Sequence, residues 1–589
     1  MCGIIGYAGG GNAAEVIYEG LKRLEYRGYD SAGAAVLSEG KISVVKKCGR
    51  VKKLLPSLEN MRGNVGIGHT RWATHGKPSD INAHPHSAGK ISIVHNGIIE
   101  NYAELKAELI KQGEKFLSET DSEVIAKLIA LNYRGDLLAA VYKTVNVLKG
   151  SYALMAICED SQTIAVAKQK SPVILGFGCG ENFCASDQPA LAGKCDEIAV
   201  LQDGDFALIT PCDIKIFDRD LQYAERVKQP NNAVSADLDL GDCPHYMLKE
   251  LREAPASIKN TASAFVDVAG GLKAALAGVD RVILVGCGTA YHAGLVGKRY
   301  IESFARIPAE AETAGEFRYK NPVVTQSTAV IAISQSGETA DTVEAARLAL
   351  ERGAKVIAVT NAPYSELTRI ASVVVPVAAG PEICVAATKS YTGQIAALYL
   401  TAQTLAGRRV NERMLQKLAR AADICKKVIE SIDVNALAQM CAKSSGTYFL
   451  GRDIDYAVAL EGSLKLKEVS YVPSEGYPAG ELKHGTLALI DLKTVSVIIA
   501  TDKSLAGKCE NAAEQVLSRG GGAAVITNIK SLKKELKGRA LIIKLPYCDK
   551  YLSPLVSAAA VQALAYRTAV ILGRDPDKPR NLAKSVTVE

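Results

Sequence analysis

The chain is poor in aromatic side chains and has no long apolar run. Phe, Trp and Tyr make up 6% of its 589 residues, and Trp72 is the only tryptophan. No apolar stretch approaches the roughly 18 residues that cross a membrane, so we expect no membrane partner. The first residues lack a basic segment followed by an apolar core, and we therefore expect no signal peptide and a cytoplasmic location.

Neither sign of charge dominates the composition. Lys and Arg number 70 against 63 Asp and Glu, which leaves a net charge of +7. The lysines are spread among acids, without the basic tracts and interleaved aromatics that bind nucleic acid. We expect no nucleic-acid partner.

The cysteines never form a C-x-x-C pair. Fourteen are scattered singly along the chain. In a long chain without a secretory signal this pattern favours reduced core residues over disulfides. Only Cys2 has a position that suggests chemistry.

A chain of this length needs more than one core, and we expect three domains. Short apolar strands such as residues 34–37, 91–94 and 152–157 alternate with helical stretches such as 102–109, which predicts layered sheets flanked by helices over residues 2–230. Residues 231–245 lack apolar periodicity and are predicted to be a linker, with a helix beginning at Tyr246.

The second half repeats itself. Residues 282–286 resemble residues 448–451, and residues 356–361 resemble residues 524–528. Strands alternating with helices predict two doubly wound parallel sheets, over residues 270–410 and 436–579, with a polar tail at 580–589. Such sheets bind ligands beyond the carboxyl ends of their strands.

Cys2 would become the amino terminus if Met1 were removed. A thiol and a free α-amine, with a pKa of roughly 7.7–8.0, would then share one residue, and the amine could act as base for the thiol. The glycine-punctuated apolar run after Cys2 predicts a buried strand. Taken alone, Cys2 is better explained as a small hydrophobic residue near a chain end.

Four further motifs favour a catalytic role for Cys2 instead. They are residues 24–33, 69–76, 95–101 and 119–123, with the sequences LEYRGYDSAG, HTRWATHG, HNGIIEN and ETDSE. Together with Cys2 they resemble the N-terminal-nucleophile glutamine amidotransferases. The resemblance implies a nucleophilic Cys2, an oxyanion hole from Asn96 and Gly97, and Trp72 as a channel gate. It implies glutamine binding by Arg27, Arg71, Thr74, His75 and Asp121.

Two of these residues also have a plain structural explanation. Arg71 offers a bidentate fork for the α-carboxylate of glutamine, and Asp121 offers a charge for its α-ammonium. Taken alone, Arg71 would be a surface ion pair and Asp121 a helix cap. The joint match to the family favours the binding roles.

Five of the eight histidines fall between His69 and His95. Such a cluster suggests a zinc site, because imidazole is a common zinc ligand. No cysteine joins the group, and His84 and His86 are too close along the chain to supply two ligands easily. We expect no metal.

Two hydroxyl-bearing turns follow apolar strands in the first repeat. Residues 330–333 lead into Ser334, Gln335, Ser336 and Thr339 before a helix, and Thr289 follows a glycine turn at 286–288. Hydroxyls and free N–H groups at a helix start bind phosphate well. The alternative is that these side chains only cap their helices.

These turns, with residues 460–468, 480–485 and 579–589, resemble the glucosamine-6-phosphate synthase family over nearly the whole chain. The resemblance implies that glutamine is hydrolysed and its ammonia transferred, with isomerisation, to fructose 6-phosphate, giving glucosamine 6-phosphate and glutamate. It implies that Lys584 forms a Schiff base, Glu468 moves a proton and His484 opens the sugar ring, with Lys465 assisting. The sugar phosphate would be bound by Thr289, Ser334, Gln335, Ser336, Thr339 and Val385. No cofactor is implied, and a homodimer is.

Three positions depart from the family pattern. Ala290 and Ala387 stand where serine is common, and Thr486 replaces a proline. Without the two serine hydroxyls, the affinity for the sugar phosphate and the preferred ketose can differ from those of the family. A relative acting on another sugar phosphate therefore stays open, as does a non-catalytic sugar-phosphate sensor, although Glu468, His484 and Lys584 together oppose the sensor.

Overall fold

The computed structural model describes residues 2–73, 75–231 and 239–587. The chain divides into two compact units, Met1–Asp239 with Ala583–Glu589, and Leu240–Leu582. Thr74 and residues 232–238 of the predicted linker lie outside the described residues.

The first unit is built on two antiparallel sheets that share a core. One sheet has the order β14-β11-β9-β10-β1-β4-β2-β3 and the other β13-β12-β8-β7-β6-β5. The strands are β1 (Gly3–Gly9), β2 (Ser31–Ser38), β3 (Lys41–Cys48), β4 (Val65–Arg71), β5 (His86–Ala88), β6 (Ile91–Ile99), β7 (Gly150–Cys158), β8 (Ser161–Gln169), β9 (Ile174–Phe177), β10 (Glu181–Ala185), β11 (Glu197–Val200), β12 (Phe206–Ile209), β13 (Ile214–Phe217) and β14 (Gln229–Pro230).

Helices cover the outer faces of both sheets. They are α1 (Ala13–Leu24), α2 (Leu55–Leu58), α3 (Tyr102–Lys111), α4 (Ser122–Asn132) and α5 (Leu137–Val145). Ile4 and Ile67 of the first sheet share a core with Met155 and Val166 of the second, so the sheets pack face to face. The helices α4 and α5 enclose a separate core on the second sheet.

Strand β1 lies inside the first sheet, between β10 and β4, and every one of its residues is buried. A strand covered on both faces carries a continuous apolar run rather than an alternating one. Its glycines admit close neighbours, since a Cβ on Gly6 would lie 2.6 Å from the Cys184 sulfur. The strand therefore fixes Cys2, its preceding residue, beside the Arg71 end of β4, where Gly3 pairs with Thr70.

The second unit contains two parallel sheets with the same strand order, β16-β15-β17-β18-β19 and β21-β20-β22-β23-β24. The strands are β15 (Arg281–Gly286), β16 (Ala309–Thr313), β17 (Thr328–Ser334), β18 (Lys355–Thr360), β19 (Val373–Pro376), β20 (Gly446–Gly451), β21 (Ser474–Pro478), β22 (Thr494–Ala500), β23 (Gly522–Thr527) and β24 (Leu541–Lys544). The shared order is the structural form of the sequence repeat.

Helices pack on both faces of each sheet. They are α6 (Tyr246–Ala275), α7 (Thr289–Phe304), α8 (Ala314–Tyr319), α9 (Ala340–Glu351), α10 (Glu366–Ile370), α11 (Lys389–Leu405), α12 (Glu412–Ser431), α13 (Asn435–Lys443), α14 (Ile454–Ser470), α15 (Ala506–Leu517), α16 (Lys530–Glu535) and α17 (Ser553–Ile571). One continuous core joins the lobes through α7, α11, α14 and α17. This agrees with the predicted α/β class.

Within the described residues, only α17 is long and apolar enough to span a membrane. In this chain 72% of its apolar window is buried inside the protein. A helix that is apolar on all sides and enclosed by its neighbours is typical of a large core.

Candidate functional site

Cys2 lies half-buried at the entrance to β1, with its sulfur against the Trp72 backbone. The Trp72 N–H donates to the sulfur over 3.3 Å. The Cys2 carbonyl accepts from the Asn96 side-chain amide at 3.0 Å and from Arg27 Nε at 3.4 Å. Three segments distant in sequence therefore meet at this residue.

Burial raises the pKa of the Cys2 thiol above its ordinary value. The Trp72 N–H and the positive charge of Arg71 lower this pKa, but by less than burial raises it. The thiol is therefore protonated at neutral pH, and attack on an amide requires a base to remove the proton.

Asn96 and Gly97 lie on β6, and the backbone of Gly97 has an unusual conformation. Gly97 has φ +133°, and a Cβ there would lie 2.0 Å from the Ser151 carbonyl oxygen. Only glycine fits this approach to β7. The Asn96 Oδ1 is buried and has no hydrogen-bond partner among the described residues.

Arg71, only 4% exposed, is the C-terminal residue of β4. Its Nη2 donates to the carbonyls of His75, at short range, and of Gly76, at 3.0 Å. Its Nη1 is buried and, in the part of the chain that the structure describes, has no hydrogen-bond partner. A buried guanidinium nitrogen without an acceptor suits an incoming carboxylate. The surface ion pair considered for Arg71 is not what the structure shows.

Asp121 precedes α4 but does not cap it with its side chain. Its Oδ2 accepts the Ile99 N–H at 2.9 Å, and it is 4% exposed. Asp121 therefore turns toward the end of β6, the strand that carries Asn96 and Gly97. The helix-cap alternative does not account for this geometry.

Arg27 is held by an acid that sequence reasoning missed. Its Nη1 forms a short ion pair with Asp187, which also accepts the Tyr26 hydroxyl at 2.5 Å. Arg27 is 5% exposed, and Asp187 counteracts the effect of burial on its charge, so its pKa is raised. Asp187 lies 160 residues away, and no local pattern connects the two.

Trp72 and His75 lie at the edge of this group, each half-buried. Trp72 meets the Tyr29 ring edge-on at 5.8 Å, and His75 meets Tyr102 in the same way at 5.4 Å. The predicted residue Thr74 is outside the described part of the chain.

The buried histidines contact one another through their rings, stacked for His69 and His84 and edge to face for His84 and His86. The His69 and His84 rings lie 3.9 Å apart, and the His84 and His86 rings 4.6 Å apart. Burial lowers the pKa of His69 to about 3, so the ring is neutral. No group of three or more His, Cys, Asp or Glu within the described residues has the arrangement of a metal site.

The first lobe presents its hydroxyl turn at the carboxyl end of β17. Ser334 Oγ accepts the Gly337 N–H at 2.9 Å and lies 3.2 Å from Thr339 Oγ1. Ser336 Oγ accepts the Glu338 N–H at 3.2 Å. Gln335 is half-buried in the same turn, ahead of α9. Hydroxyls and N–H groups thus gather at one strand end, as a phosphate site requires.

Thr289 begins α7 at the neighbouring strand end and reaches into the second lobe. Its hydroxyl donates to Glu461 Oε1 at 3.2 Å, and His292 Nδ1 lies 2.8 Å from Glu461 Oε2. Glu461 is completely buried on α14. Neither Glu461 nor His292 was selected from the sequence, and their separation of 169 residues explains why.

Lys465 and Glu468 follow Glu461 on the same helix. Lys465 Nζ lies 2.5 Å from Glu468 Oε2 and 3.8 Å from Glu461 Oε1. Burial would lower the pKa of Lys465, but the two carboxylates outweigh it and the pKa is raised. Lys465 therefore remains a buried cation, and the Glu468 side chain next to it is 20% exposed.

In the second lobe, a carboxylate of the protein occupies the turn that is equivalent to the hydroxyl turn of the first lobe. Gly288 before α7 has φ 53° and ψ −121°, and Asp453 before α14 has φ 54° and ψ −126°, so Asp455 corresponds to Ala290. Asp455 accepts the Thr501 N–H at 2.7 Å and the Thr501 hydroxyl at 2.6 Å.

An anion could not share the Thr501 turn with a buried carboxylate, because like charges at that distance repel strongly. Ala290 carries only a methyl group at the matching position. The asymmetry favours the first lobe as the place where a phosphate binds.

The loop before α11 carries Val385 and Ala387. Val385 is buried and its N–H donates to the Asp577 carbonyl at 3.0 Å. Glu382 accepts the N–H groups of Thr388 at 2.9 Å and Ser390 at 3.0 Å. The loop is thus fixed from both sides.

His484 and Lys584 are the two remaining residues with a predicted catalytic role. His484 is exposed in a short 3-10 turn of the second lobe, Glu481–His484. Lys584 is half-buried and groups with the first unit, in Ala583–Glu589.

Comparison with known families agrees with this division of the chain. The glutamine amidotransferase domain family matches residues 69–192. The SIS domain family matches residues 275–403 and 440–572. The chain is therefore a glutamine amidotransferase joined to a tandem sugar isomerase pair.

Curated relatives align over their whole length. The glutamine–fructose-6-phosphate aminotransferases (isomerizing) of Caldanaerobacter subterraneus subsp. tengcongensis and Aquifex aeolicus are 44% and 45% identical, and each alignment covers 100% of both chains. The chain belongs to the isomerising glutamine–fructose-6-phosphate aminotransferase family. This confirms the family and the enzyme class predicted from the sequence.

Solved structures agree for the second unit. The C-terminal domain of glucosamine-fructose-6-phosphate aminotransferase from Francisella tularensis is 32% identical, with a TM-score of 0.54, over 58% of this chain and 100% of that one. A tagatose-6-phosphate ketose/aldose isomerase from Escherichia coli, 17% identical with a TM-score of 0.51 over 58% of this chain and 96% of that one, shares the fold. The predicted fold class is confirmed.

Replacing Gly97 by Ala should destabilise the first unit and abolish glutaminase activity, because the new Cβ would meet the Ser151 carbonyl at 2.0 Å. Gly113→Ala is the matched control, since Gly113 also has a positive φ, +95°, but open space around it. The control should cost about 1–2 kcal/mol of backbone strain and no activity. Thermal unfolding and glutamate release measure both. Equal behaviour of the two variants would contradict the described approach of β6 and β7.

Asp455→Asn should change how stability depends on pH. Burial raises the pKa of Asp455 from 3.8 to about 6, so its contribution is complete below about pH 4 and is lost as the pH rises through 6. The wild type should lose about 2 kcal/mol relative to the variant between pH 4 and 7, because the full effect is about 1.4 kcal/mol per pKa unit and part of it is already lost at pH 4. Thermal midpoints across this range measure the difference.

Asp502→Asn serves as the control of opposite sign. Burial raises the pKa of Asp502, but bonds from Ser504 and the Lys550 charge outweigh it, so the pKa is lowered. The wild type should therefore gain stability over this variant as the pH rises. The same sign for both aspartates would contradict the buried environment of Asp455.

Proposed function

We propose that the chain releases ammonia from glutamine at Cys2 and transfers it, with isomerisation, to fructose 6-phosphate, giving glucosamine 6-phosphate and glutamate. The observation that carries the proposal is the full-length match to the isomerising aminotransferases at 44% identity. The contacts around Cys2 and along α14 support the assignment of roles to residues.

At the first site, the α-amine of Cys2, freed by removal of Met1, takes the proton of the thiol. The sulfur attacks the amide carbon of glutamine, and the carbonyl oxygen becomes an oxyanion that Asn96 Nδ2 and the Gly97 N–H stabilise. The C–N bond then breaks and ammonia leaves with the proton. Water hydrolyses the thioester to glutamate and restores the thiol.

Glutamine is recognised through its charged end. Arg71 Nη1, which has no hydrogen-bond partner among the described residues, binds the α-carboxylate, and Asp121 binds the α-ammonium. Arg27, held by Asp187, fixes the Cys2 carbonyl. Thr74 and His75 complete the site, and Trp72, whose backbone contacts the Cys2 sulfur, gates the passage of ammonia.

At the second site, the turn residues of the first lobe hold the phosphate of the ketose. They are Thr289, Ser334, Gln335, Ser336 and Thr339, and Val385 contacts the sugar phosphate beside them. His484 opens the sugar ring, and its exposure suits a role in the site of a neighbouring subunit of a homodimer. No cofactor takes part.

The Lys584 amine attacks the C2 carbonyl and expels water to form an imine. Glu468 moves the proton between C1 and C2. The Lys465 ammonium, 2.5 Å away, holds the Glu468 side chain in place. Ammonia replaces Lys584 at C2 while this carbon is still an imine, which releases the lysine, and the proton transfer then turns the C2 imine and the C1 hydroxyl into the C2 amine and the C1 aldehyde of the product. We place the whole reaction in the cytoplasm.

A second candidate is the same chemistry on another ketose phosphate. The observation that favours it is the methyl group of Ala290, which stands where the second lobe has a carboxylate and where the family often has serine. A panel of ketose phosphates separates the two candidates.

Amide-15N glutamine and fructose 6-phosphate should give labelled glucosamine 6-phosphate with the wild type. Cys2→Ala should release no glutamate, with Cys179→Ala, an exposed free cysteine, as the control. Lys584→Ala should lose amino-sugar synthesis, with the exposed Lys493→Ala as its control. Product analysis by mass spectrometry measures each outcome.

Glutamate released by the wild type without any amino sugar would rule out fructose 6-phosphate as the acceptor. Labelled product from Cys2→Ala would rule out Cys2 as the nucleophile. Amino-sugar synthesis at the wild-type rate by Lys584→Ala would rule out the imine.

A further inference from the structure

We infer that Tyr471 is a positioning residue for the chain segment that leads to Lys584. Tyr471 ends α14 in the left-handed conformation, with φ 65° and ψ 12°, and its N–H donates to the Lys467 carbonyl at 3.2 Å. Glycine is the usual residue at such a helix end, since a bulky side chain there is strained. A tyrosine in this place suggests that the side chain has a use that offsets the strain.

The side chain binds the segment before the tail. The Tyr471 hydroxyl accepts the Arg580 N–H at 2.8 Å. The guanidinium groups of Arg580 and Arg574 lie 4.5 Å and 5.3 Å from the centre of the Tyr471 ring. A hydrogen bond and two cation–π contacts thus converge on one half-buried phenol.

The same segment is anchored upstream at other points. The Asp577 carboxylate accepts the N–H groups of Tyr246 at 2.8 Å and Met247 at 2.7 Å. The Pro576 carbonyl accepts the Cys384 thiol at 3.3 Å. These contacts fix residues 576–577 to α6 and to the loop that carries Val385, but they leave residues 578–583 to other contacts.

The Tyr471 contact lies four residues before Lys584 and three residues after Glu468. One helix end therefore fixes both the carboxylate proposed to move a proton and the segment that delivers the amine. A reacting amine gains rate from being held in place, so loosening this segment should lower the rate of imine formation. The inference rests on the proposed role of Lys584.

Two variants separate the contributions of the hydroxyl and the ring. Tyr471→Phe removes the acceptor for the Arg580 N–H and keeps the ring, and Tyr471→Leu removes both. One hydrogen bond corresponds to about a fivefold effect, so amino-sugar kcat should fall about threefold to tenfold for Phe and further for Leu. The KM for glutamine should not change. Tyr477→Phe is the control, since Tyr477 also bonds a neighbour, Glu475, through its hydroxyl in the same lobe.

Amide exchange gives a readout that does not depend on the chemistry. Residues 580–587 should exchange faster in both Tyr471 variants and remain unchanged in the control. A fold defect would instead speed exchange throughout the second unit. If the Leu variant does not fold, the Phe variant still distinguishes faster exchange confined to residues 580–587 from faster exchange throughout the second unit.

Borohydride reduction distinguishes failure of this inference from failure of the proposed function. Reduction of a Lys584–ketose imine to a secondary amine should label wild-type Lys584 and label the Tyr471 variants more slowly. An unlabelled Lys584 in the wild type would overturn the role of Lys584 itself. A labelled wild type with equal labelling, kcat and exchange in the variants would overturn the positioning role of Tyr471.

Discussion

The second unit depends on a carboxylate that water does not reach. Glu461 is completely buried, yet its two oxygens meet Thr289 and His292 of one lobe and Lys465 of its own helix. A buried charge is tolerated only when such partners compensate it, and removal of one partner leaves another charge exposed to a low dielectric. The position of Glu468 follows, because it lies on the same helix as Glu461 and forms its ion pair with the same lysine.

The presence of two similar lobes completes the hydrophobic core but also gives the second unit two similar turns. Two sheets of identical strand order bury their helices in one shared core, which a single lobe would leave partly exposed. Identical turns would then offer two equivalent anion sites. Asp455 removes the equivalence, since a carboxylate already accepts the Thr501 N–H in one lobe while Ala290 leaves the other turn unoccupied by charge. A single side chain thus makes the equivalent turns of the two lobes chemically different.

The periodic elements and the motif residues could be predicted from the sequence, because both are local. Helix α6 begins at Tyr246, α3 covers the predicted 102–109 stretch, and the repeated strands fall at matching places in both sheets. The partners could not be predicted. Asp187 pairs with Arg27 across 160 residues and Glu461 with His292 across 169, and no period or spacing in one segment specifies a contact with another. Folding, not local pattern, decides which carboxylate each of these side chains contacts.

A central strand suits the terminal nucleophile that we propose at Cys2. Strand β1 is buried along its entire length and pairs on both sides, so the residue before it has little freedom. That rigidity has a cost, because the burial that fixes Cys2 also raises the pKa of its thiol. The attack proposed for Cys2 therefore needs a base at a fixed distance from the sulfur, and the α-amine that removal of Met1 would free on the same residue meets this requirement through covalent geometry alone. The Asn96 amide on the Cys2 carbonyl fixes the backbone on which both groups are carried.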